Sequence, residues 1–451
     1  MSSASDTAER VRAQLPPARA DLEQLVRIPS ISAAAERTAD VRAAADRVAQ
    51  WAEAAGAADT QIVDAGGAPA VVARWPAPEG APTVLLYAHL DVQPTGGDEN
   101  WTTPPFVPSE RAGRLYGRGA ADDKAGVLLH LAVLRAFGGR PPVGVTLFVE
   151  GEEEIGSPTL PALLATNVDL LRSDVIVIAD SANAAVDVPS FTTSLRGLVD
   201  LSVEVRMLAQ PVHSGMFGGA VPDALTGLCR LLASLHDDAG DVAVPGLVHA
   251  ESDAPDIDPA VLAGDAGMCP GVELIGTGTI PERLWMRPAV SVLGIDAPAV
   301  ADASNVLLPR ARAKVSLRLA PGDDAGKATE ALTDHLKAHA PWGAQVVVDA
   351  GAAADPYSLS ATGDVYDVAR SAYADAFGAE VVETGIGGSI PFIAEFARTY
   401  PGATVMVTGV GDPASRWHGI DESLDLGMWE KACVAEALFL ERLGLERLAA
   451  L

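Results

Sequence analysis

Three segments of the chain carry an apolar run into acidic or imidazole side chains: LLYAHLD at 85–91, GRGAADDK at 117–124 and FVEGEEEIG at 148–156. Buried strands rarely end in clustered carboxylates without compensating positive charge, because an unpaired buried carboxylate costs much free energy. A pair of divalent cations would compensate these clusters. The three segments therefore predict a two-metal hydrolase site.

Individual residues in these segments suit metal binding. His89 and Asp91 stand two residues apart at a strand end, so both side chains can point to the same side, one as ligand and one to orient it. Asp122 and Asp123 follow GRGAA, whose glycines allow a tight turn into a crowded site. Asp180 ends another apolar run, SDVIVIAD, where a turn aspartate is the simpler explanation.

Two other interpretations of these segments exist. Gly117 and Gly119 superficially resemble the phosphate loop of a dinucleotide-binding dehydrogenase, but Asp122 replaces the third glycine and would repel a pyrophosphate. The carboxylates between Glu150 and Glu154 could equally form a solvated loop. The metal prediction therefore depends on the joint pattern of the segments.

Bulk composition limits the class of protein. The 451 residues are 49% hydrophobic and 20% charged, which is ordinary for a globular enzyme of two domains. A formal net charge of −28 opposes nucleic-acid and anionic membrane partners. Three widely spaced cysteines indicate neither disulfides nor a thiolate zinc site. Because neither a secretory signal nor a long apolar run is evident, we expect a cytoplasmic protein.

The elements around the polar segments alternate between helix and strand. Helical spacing of apolar residues predicts helices, and short continuous runs of Val, Ile and Leu predict strands buried on both faces. The predicted helices are 41–57 and 126–137, and the predicted strands are 82–90, 143–150 and 173–180. This alternation predicts an α/β fold with a mixed sheet between helices, whose ligands lie beyond the carboxyl ends of the strands.

The pattern of apolar and polar residues changes near Thr193. RGLVDLSVEVRM and, further on, ARAKVSLRLAP alternate like strands with one solvated face, and VPDALTGLCRLLASLH is helical between them. We therefore predict an inserted α+β domain at 194–354. Residues 1–193 and 355–451 would form one discontinuous catalytic domain.

Taken together, these motifs resemble metallopeptidase family twenty, which includes carnosine dipeptidases, aminoacylases, acetylornithine deacetylases and glutamate carboxypeptidases. The resemblance extends from His89 to His418 and is strongest to the carnosinase-type dipeptidases, through LYGRGAADDKAG, EGEEEIGS, PVHSGMFGG and GGSIP. It implies an aminopeptidase-like di-zinc domain and a lid domain that also makes a homodimer.

The resemblance also implies a set of metal ligands. His89 and Asp180 would bind one divalent ion and Glu154 and His418 the other, with Asp122 bridging both. The ions would be zinc, with manganese or cobalt as alternatives.

The residues that act on the substrate follow in the same way. Glu153 would be the general base and Asp91 would hold His89. An alternative register makes Glu152 the base and Glu153 the ligand. His213 would stabilise the oxyanion, often from the partner subunit.

Other positions would contact the substrate. Arg318 would clamp its terminal carboxylate, and Gly388 and Ser389 would line its pocket. Ile386 departs from the carnosinase pattern, which leaves the side-chain preference open.

The implied activity is hydrolysis of dipeptides or small peptides with a free amino terminus, by a hydroxide that bridges the two metals. An aspartate at the position of Asp180 goes with aminopeptidase and dipeptidase members. Two alternatives remain: a deacylase of N-acyl amino acids, which would need the same metals, and a non-catalytic dimeric binding protein that kept the fold.

Overall fold

The computed structural model describes residues 4–252, 254–387 and 391–445, except for the side chains at 265 and 391. The chain divides into two compact units. The first runs to Thr193 and resumes over Leu359–Thr384 and in the C-terminal part; the second spans Ser194–Ser358 with a short return from Gly385. No helix in the described ranges is long and apolar enough to cross a bilayer.

The first unit contains most of the helices. They are α1 Ala4–Val26, α2 Thr38–Ala54, α3 Lys124–Ala136, α4 Leu160–Thr166 and α5 Val168–Leu171, followed after the second unit by α10 Asp364–Phe377, α11 Pro391–Thr399 and α12 Leu426–Leu445. The helices of the second unit are α6 Ser214–Phe217, α7 Ala224–Ala233, α8 Pro259–Asp265 and α9 Ala325–Ala338, with a π-helical turn at Glu282–Met286.

The strands up to the junction of the units are β1 Asp59–Val63, β2 Ala70–Trp75, β3 Thr83–His89, β4 Ser109–Arg111, β5 Arg114–Tyr116, β6 Gly144–Glu150, β7 Val175–Ile178 and β8 Ser190–Leu195. Those that follow are β9 Gly197–Arg206, β10 Val212–His213, β11 Ala289–Asp296, β12 Val306–Leu307, β13 Arg310–Leu319, β14 Gln345–Ala354, β15 Tyr357–Ser358, β16 Val382–Ile386, β17 Thr404–Val407 and β18 Ser423–Asp425.

The central sheet of the first unit is mixed and has the order β1-β2-β6-β3-β7-β17. Strands β6, β3, β7 and β17 are parallel neighbours, whereas β1 and β2 pair antiparallel at one edge. Strand β3 is buried on both faces, which explains its continuous apolar sequence. Alternate residues of β3 serve the two faces: Leu86 joins the main core with α1, α3 and α12, whereas Tyr87 stacks on Phe392 of α11.

The second unit is built on an antiparallel sheet of order β11-β13-β9-β14. In β9 and β13 alternate residues are buried, and those buried residues share a core with α7 and α9. The other face of these two strands carries polar and charged side chains, as expected when helices cover a sheet on one side only.

Candidate metal centre

The carboxyl ends of three adjacent parallel strands bring the first site residues together. β3 ends at His89, β6 at Glu150, and β7 two residues before Asp180. Because β6, β3 and β7 are neighbours in that order, the segments that follow them meet at one edge of the sheet. His89 Nε2 lies 3.8 Å from Asp180 Oδ1 and 4.0 Å from Glu153 Oε2.

Asp122 lies between the two histidines of the site. Its Oδ1 is 3.1 Å from Nε2 of His89, and its Oδ2 is 3.1 Å from Nε2 of His418. Asp122 precedes α3, whose N-terminus is capped by Asp123 through the N–H of Gly126. A carboxylate that turns one oxygen to each imidazole has the arrangement needed to bridge two ions.

His418 approaches from a strained turn late in the chain. Three residues of this turn have left-handed backbone angles although none is glycine: Arg416, His418 and Asp421, with φ between 55° and 58°. Such angles cost free energy and often occur at functional sites. The turn places His418 Nε2 3.2 Å from Glu154 Oε2.

Asp91 is fully buried and orients both the segment of Glu153 and Glu154 and the ring of His89. Its two oxygens accept the backbone N–H groups of Glu153 and Glu154, at 3.2 and 3.1 Å. Nδ1 of His89 lies 3.1 Å from the Asp91 carbonyl and 3.4 Å from its carboxylate. Since Nδ1 is engaged in this way, Nε2 is the nitrogen that faces the carboxylates.

Gln93 holds Glu154 and was not predicted from the sequence. Its side-chain amide donates to Oε2 of Glu154 at 2.9 Å and to the Glu154 carbonyl at 3.0 Å, and its backbone N–H donates to Oε1 at 3.1 Å. The only feature of the sequence that could have suggested this role is its position four residues after His89.

Glu422 likewise supports Asp122 without having been predicted. It accepts the backbone N–H groups of Gly119, Ala121 and Asp122 at 2.9–3.1 Å, and the Nη1 of Arg118 at 2.7 Å. Glu422 follows the His418 turn, so one buried carboxylate connects that turn to the loop of Asp122.

The charges of this cluster fit divalent cations. Oxygen atoms of Asp122, Glu154, Glu153 and Asp180 form two groups with His89, in each of which all ligand atoms lie within 4.8 Å of one another. Carboxylate and imidazole groups so close together are typical ligands of zinc and similar ions.

The surrounding carboxylates also raise the pKa values of the two imidazoles, so that both rings favour their positively charged form. Burial would lower the pKa of His89, but hydrogen bonds to Asp122, Asp180 and Asp91 raise it well above the usual value. Hydrogen bonds to Asp122 and Glu154 raise the pKa of His418 to about 10. Divalent ions would supply this charge and leave both rings neutral for ligation.

The remaining predicted residues lie elsewhere in the chain. His213 is exposed in β10 of the second unit, where its Nδ1 accepts the N–H of Gly215 at 3.0 Å. Arg318 is half-buried in β13 of the same unit. Gly388 and Ser389 fall outside the described residues.

Comparisons with known proteins find dipeptidases among the relatives of this chain. The chain is 38% identical over 371 residues to a cysteinylglycine-S-conjugate dipeptidase of Corynebacterium striatum, covering 81% of this chain and 82% of that protein. It is 30% identical over 362 residues to the β-Ala-His dipeptidase of Rattus norvegicus, covering 76% and 73%.

A solved structure of human carnosine dipeptidase 1 superposes with a TM-score of 0.84 at 25% identity, covering 98% of this chain and 99% of that one. This likeness confirms the predicted α/β fold with a mixed sheet and a separate antiparallel domain. The model of peptidase family M20/M25/M40 matches residues 85–443, and the chain belongs to that family.

Proposed function

We propose that this protein is a metal-dependent dipeptidase that hydrolyses dipeptides or small peptides with a free amino terminus. The observation that carries the proposal is the convergence of His89, Asp122, Glu154 and His418 within 3.2 Å contacts, with Glu153 beside them. The dipeptidase names of the relatives support it.

Two divalent ions fit the ligand set proposed from the sequence. His89 and Asp180 would hold one ion, Glu154 and His418 the other, and Asp122 both. When bound, such ions supply Lewis acidity toward the peptide carbonyl and toward water. The proposal includes zinc as the metal, with manganese or cobalt as alternatives, because the ligands are a mixture of nitrogen and oxygen atoms.

Glu153 is the residue that would move the proton. Burial and the negative charge of Asp180 raise the pKa of its carboxyl well above the usual value. Its Oε2 lies 4.0 Å from His89 Nε2, at the edge of the cluster. From there Glu153 would accept a proton from the attacking water and deliver it to the leaving amine.

The proposal includes a homodimer formed through the second unit, with His213 stabilising the oxyanion. In that unit β11 is an edge strand of the sheet, and it exposes Val292, Leu293 and Ile295. An exposed apolar edge strand is a template for pairing with a second chain. Light scattering of the wild type and of Leu293→Lys tests this point, since the variant should be monomeric and the wild type dimeric.

A cytoplasmic location belongs to the same proposal. Cys229, Cys269 and Cys433 are all free thiols, as a reducing compartment would keep them.

The decisive experiment is hydrolysis of a dipeptide panel by protein reconstituted with zinc, manganese or cobalt. The panel contains Ala-Ala, Cys-Gly and β-Ala-His, the last two because the relatives' names point to them. N-acetyl-Ala is the control for the deacylase alternative, and Glu153→Ala is the control for metal-only chemistry.

We expect cleavage of free dipeptides that requires both the metal and Glu153. Cleavage of N-acetyl-Ala alone would replace the proposal by a deacylase. Metal binding with no turnover on either class of compound would favour a binding protein.

A further inference from the structure

Arg114 of β5 binds the segment 412–423, which carries His418, through hydrogen bonds of its side chain. Its Nη2 donates to the carboxylate of Asp412 at 2.7 Å and to the carbonyl of Ser423 at 3.0 Å, and its Nε donates to the Ser423 hydroxyl at 2.9 Å. A longer contact of 3.3 Å joins Nη2 to the hydroxyl of Ser415. The arginine therefore contacts both the beginning and the end of this segment.

The groups that Arg114 contacts are themselves buried and joined to one another. Asp412, Ser415 and Ser423 are each at most 4% exposed. The hydroxyl of Ser415 donates to Asp412 at 3.1 Å and accepts the backbone N–H of Asp412 at 3.0 Å, and the Ser423 N–H donates to the Ser415 carbonyl at 2.9 Å. Because a buried carboxylate without a counter-charge is costly, the guanidinium of Arg114 stabilises this network.

The part of the segment between these contacts has a strained backbone. Three residues that are not glycine, His418 among them, have φ angles between 55° and 58°. Such angles cost free energy and persist only where the surrounding structure holds them. Asp412 precedes the strained part and Ser423 follows it, so Arg114 fixes the two ends between which the strain is kept.

The side chain of His418 has little packing of its own. It is 58% exposed, and its Nε2 contacts Asp122 at 3.1 Å and Glu154 at 3.2 Å. Both of these partners are ligands in the proposed metal centre, so they would turn toward an ion when one is bound. The position of the imidazole therefore depends on the backbone that carries it.

We propose that Arg114 is a positioning residue for the metal ion that Glu154 and His418 would hold. It acts through the segment 412–423, without contact to the ion. The inference rests on the proposed function in one respect, the pair of metal ions. With Arg114 in place the protein presents His418 already oriented. Without Arg114 the binding of the ion would have to order the segment as well, so its affinity would fall.

The first test measures the affinities of both ions, by competition between a chelator and the protein reconstituted with zinc. We expect Arg114→Met to weaken one ion by about 10- to 100-fold and to leave the other within about threefold of its wild-type affinity. Arg114→Lys keeps a charge beside Asp412 but loses the forked contact with Ser423, so it should recover part of the loss. The matched control is Arg135→Met, because Arg135 is also mostly buried and pairs with Asp21 at 2.7 Å. Equal weakening of both ions in Arg114→Met, or of neither, would overturn the inference.

A double-mutant cycle tests whether Arg114 acts through His418. His418→Ala removes one proposed ligand of the affected ion. If the arginine acts through this ligand, Arg114→Met should weaken the ion much less in the His418→Ala background than in the wild type. The same weakening in both backgrounds would make Arg114 a general support of the fold and contradict the proposed role.

Ser423→Ala gives a milder change for the case that Arg114→Met does not fold. It removes the hydroxyl that accepts Nε of Arg114 and leaves the ion pair with Asp412. Hydrogen exchange of the metal-free protein, measured by mass spectrometry, should be faster over 412–423 in Ser423→Ala and in Arg114→Lys than in the wild type. Wild-type exchange over this segment in both variants would show that the contacts of Arg114 do not hold it, and the inference would be wrong.

These tests do not use turnover, so their outcome is separate from that of the proposed function. A wild type that binds two zinc ions, shows the selective effect of Arg114→Met and cleaves no dipeptide would contradict the proposed function and support this inference. A wild type that binds fewer than two zinc ions would overturn this inference, and the dipeptide panel would still decide on the activity.

Discussion

Glu422 forms a buried ion pair with Arg118 at 2.7 Å, and the same carboxylate accepts the backbone N–H of Asp122. Both charged side chains are at most 1% exposed. A single group therefore connects the proposed bridging ligand to the turn of His418, although these residues lie far apart in the sequence. This connection holds the loop of Asp122 beside the turn of His418.

Glu422→Gln should destabilise the protein because it leaves the Arg118 guanidinium buried without its counter-charge. Breaking a buried pair in this way costs about 3–5 kcal/mol of unfolding free energy. Urea denaturation measures the loss. The control is Glu430→Gln, whose exposed pair with Arg12 should contribute less than about 1 kcal/mol. Equal losses in both variants would contradict the role assigned to Glu422.

Gln93→Ala should weaken metal binding while the fold is kept. Gln93 fixes both oxygens of Glu154, and removing a group that orients a ligand typically costs about 10- to 100-fold in metal affinity. Competition with a chelator measures that affinity, and circular dichroism checks the fold. Gln61→Ala in β1 is the matched control, since Gln61 is exposed and its side-chain amide donates to the nearby Asp59. Native affinity in Gln93→Ala would show that Asp91 alone suffices to place Glu154.

The variants Glu153→Gln and Glu152→Gln distinguish the two assignments of the general base, Glu153 or Glu152. Glu153→Gln should lower kcat by about 10²- to 10⁴-fold and leave the metal content unchanged, as expected for loss of a general base. Glu152 instead accepts the N–H groups of Ala68 and Thr159, so Glu152→Gln should retain turnover and lose stability. Measuring both the bound metal and the kcat of each variant distinguishes the two assignments. Loss of metal from Glu153→Gln would favour the register with Glu152 as base.

His335 should make the second unit less stable at acid pH. Burial and the nearby His339 lower the pKa of its imidazole in the folded protein. Its Nε2 bonds the Ser234 carbonyl at 2.9 Å, whereas Nδ1 is buried without a partner among the described residues, so a second proton would lack an acceptor.

A lowered pKa in the folded state means that stability is complete above the ordinary value of about 6.5 and falls as the pH drops below it. Urea denaturation at pH 7.5 and 5.5 measures the difference. His335→Gln should reduce this pH dependence, and His249→Gln, at an exposed loop position, should not. An equal pH dependence in wild type and His335→Gln would exclude the effect.

The sequence predicted the central strands well because they are buried on both faces. The predicted strands 82–90, 143–150 and 173–180 correspond to Thr83–His89, Gly144–Glu150 and Val175–Ile178. A continuous apolar run predicts a buried strand whatever its partners are, so the local sequence is sufficient. The α/β fold followed from the alternation of these strands with helices.

The parts that were missed depend on contacts between distant residues. Helix α1 contains Pro16 and Pro17, which disfavour a continuous helix. The helix nevertheless continues through them, because Val11, Ala18 and Leu22 pack in the main core. Gln93 and Glu422 act through backbone groups of remote loops, and no local spacing reveals such partners. The metal ligands were assigned only through the resemblance of whole motifs, and their roles remain predictions.

The order of the site residues along the chain also bears on synthesis. A ribosome releases His89, Asp122 and Glu154 early, but the His418 turn and Glu422 leave it only after the whole second unit. A nascent chain therefore lacks part of the proposed ligand set for most of its translation. The proposed peptidase would stay inactive beside the other growing polypeptides of the cell until the His418 turn and Glu422 are made.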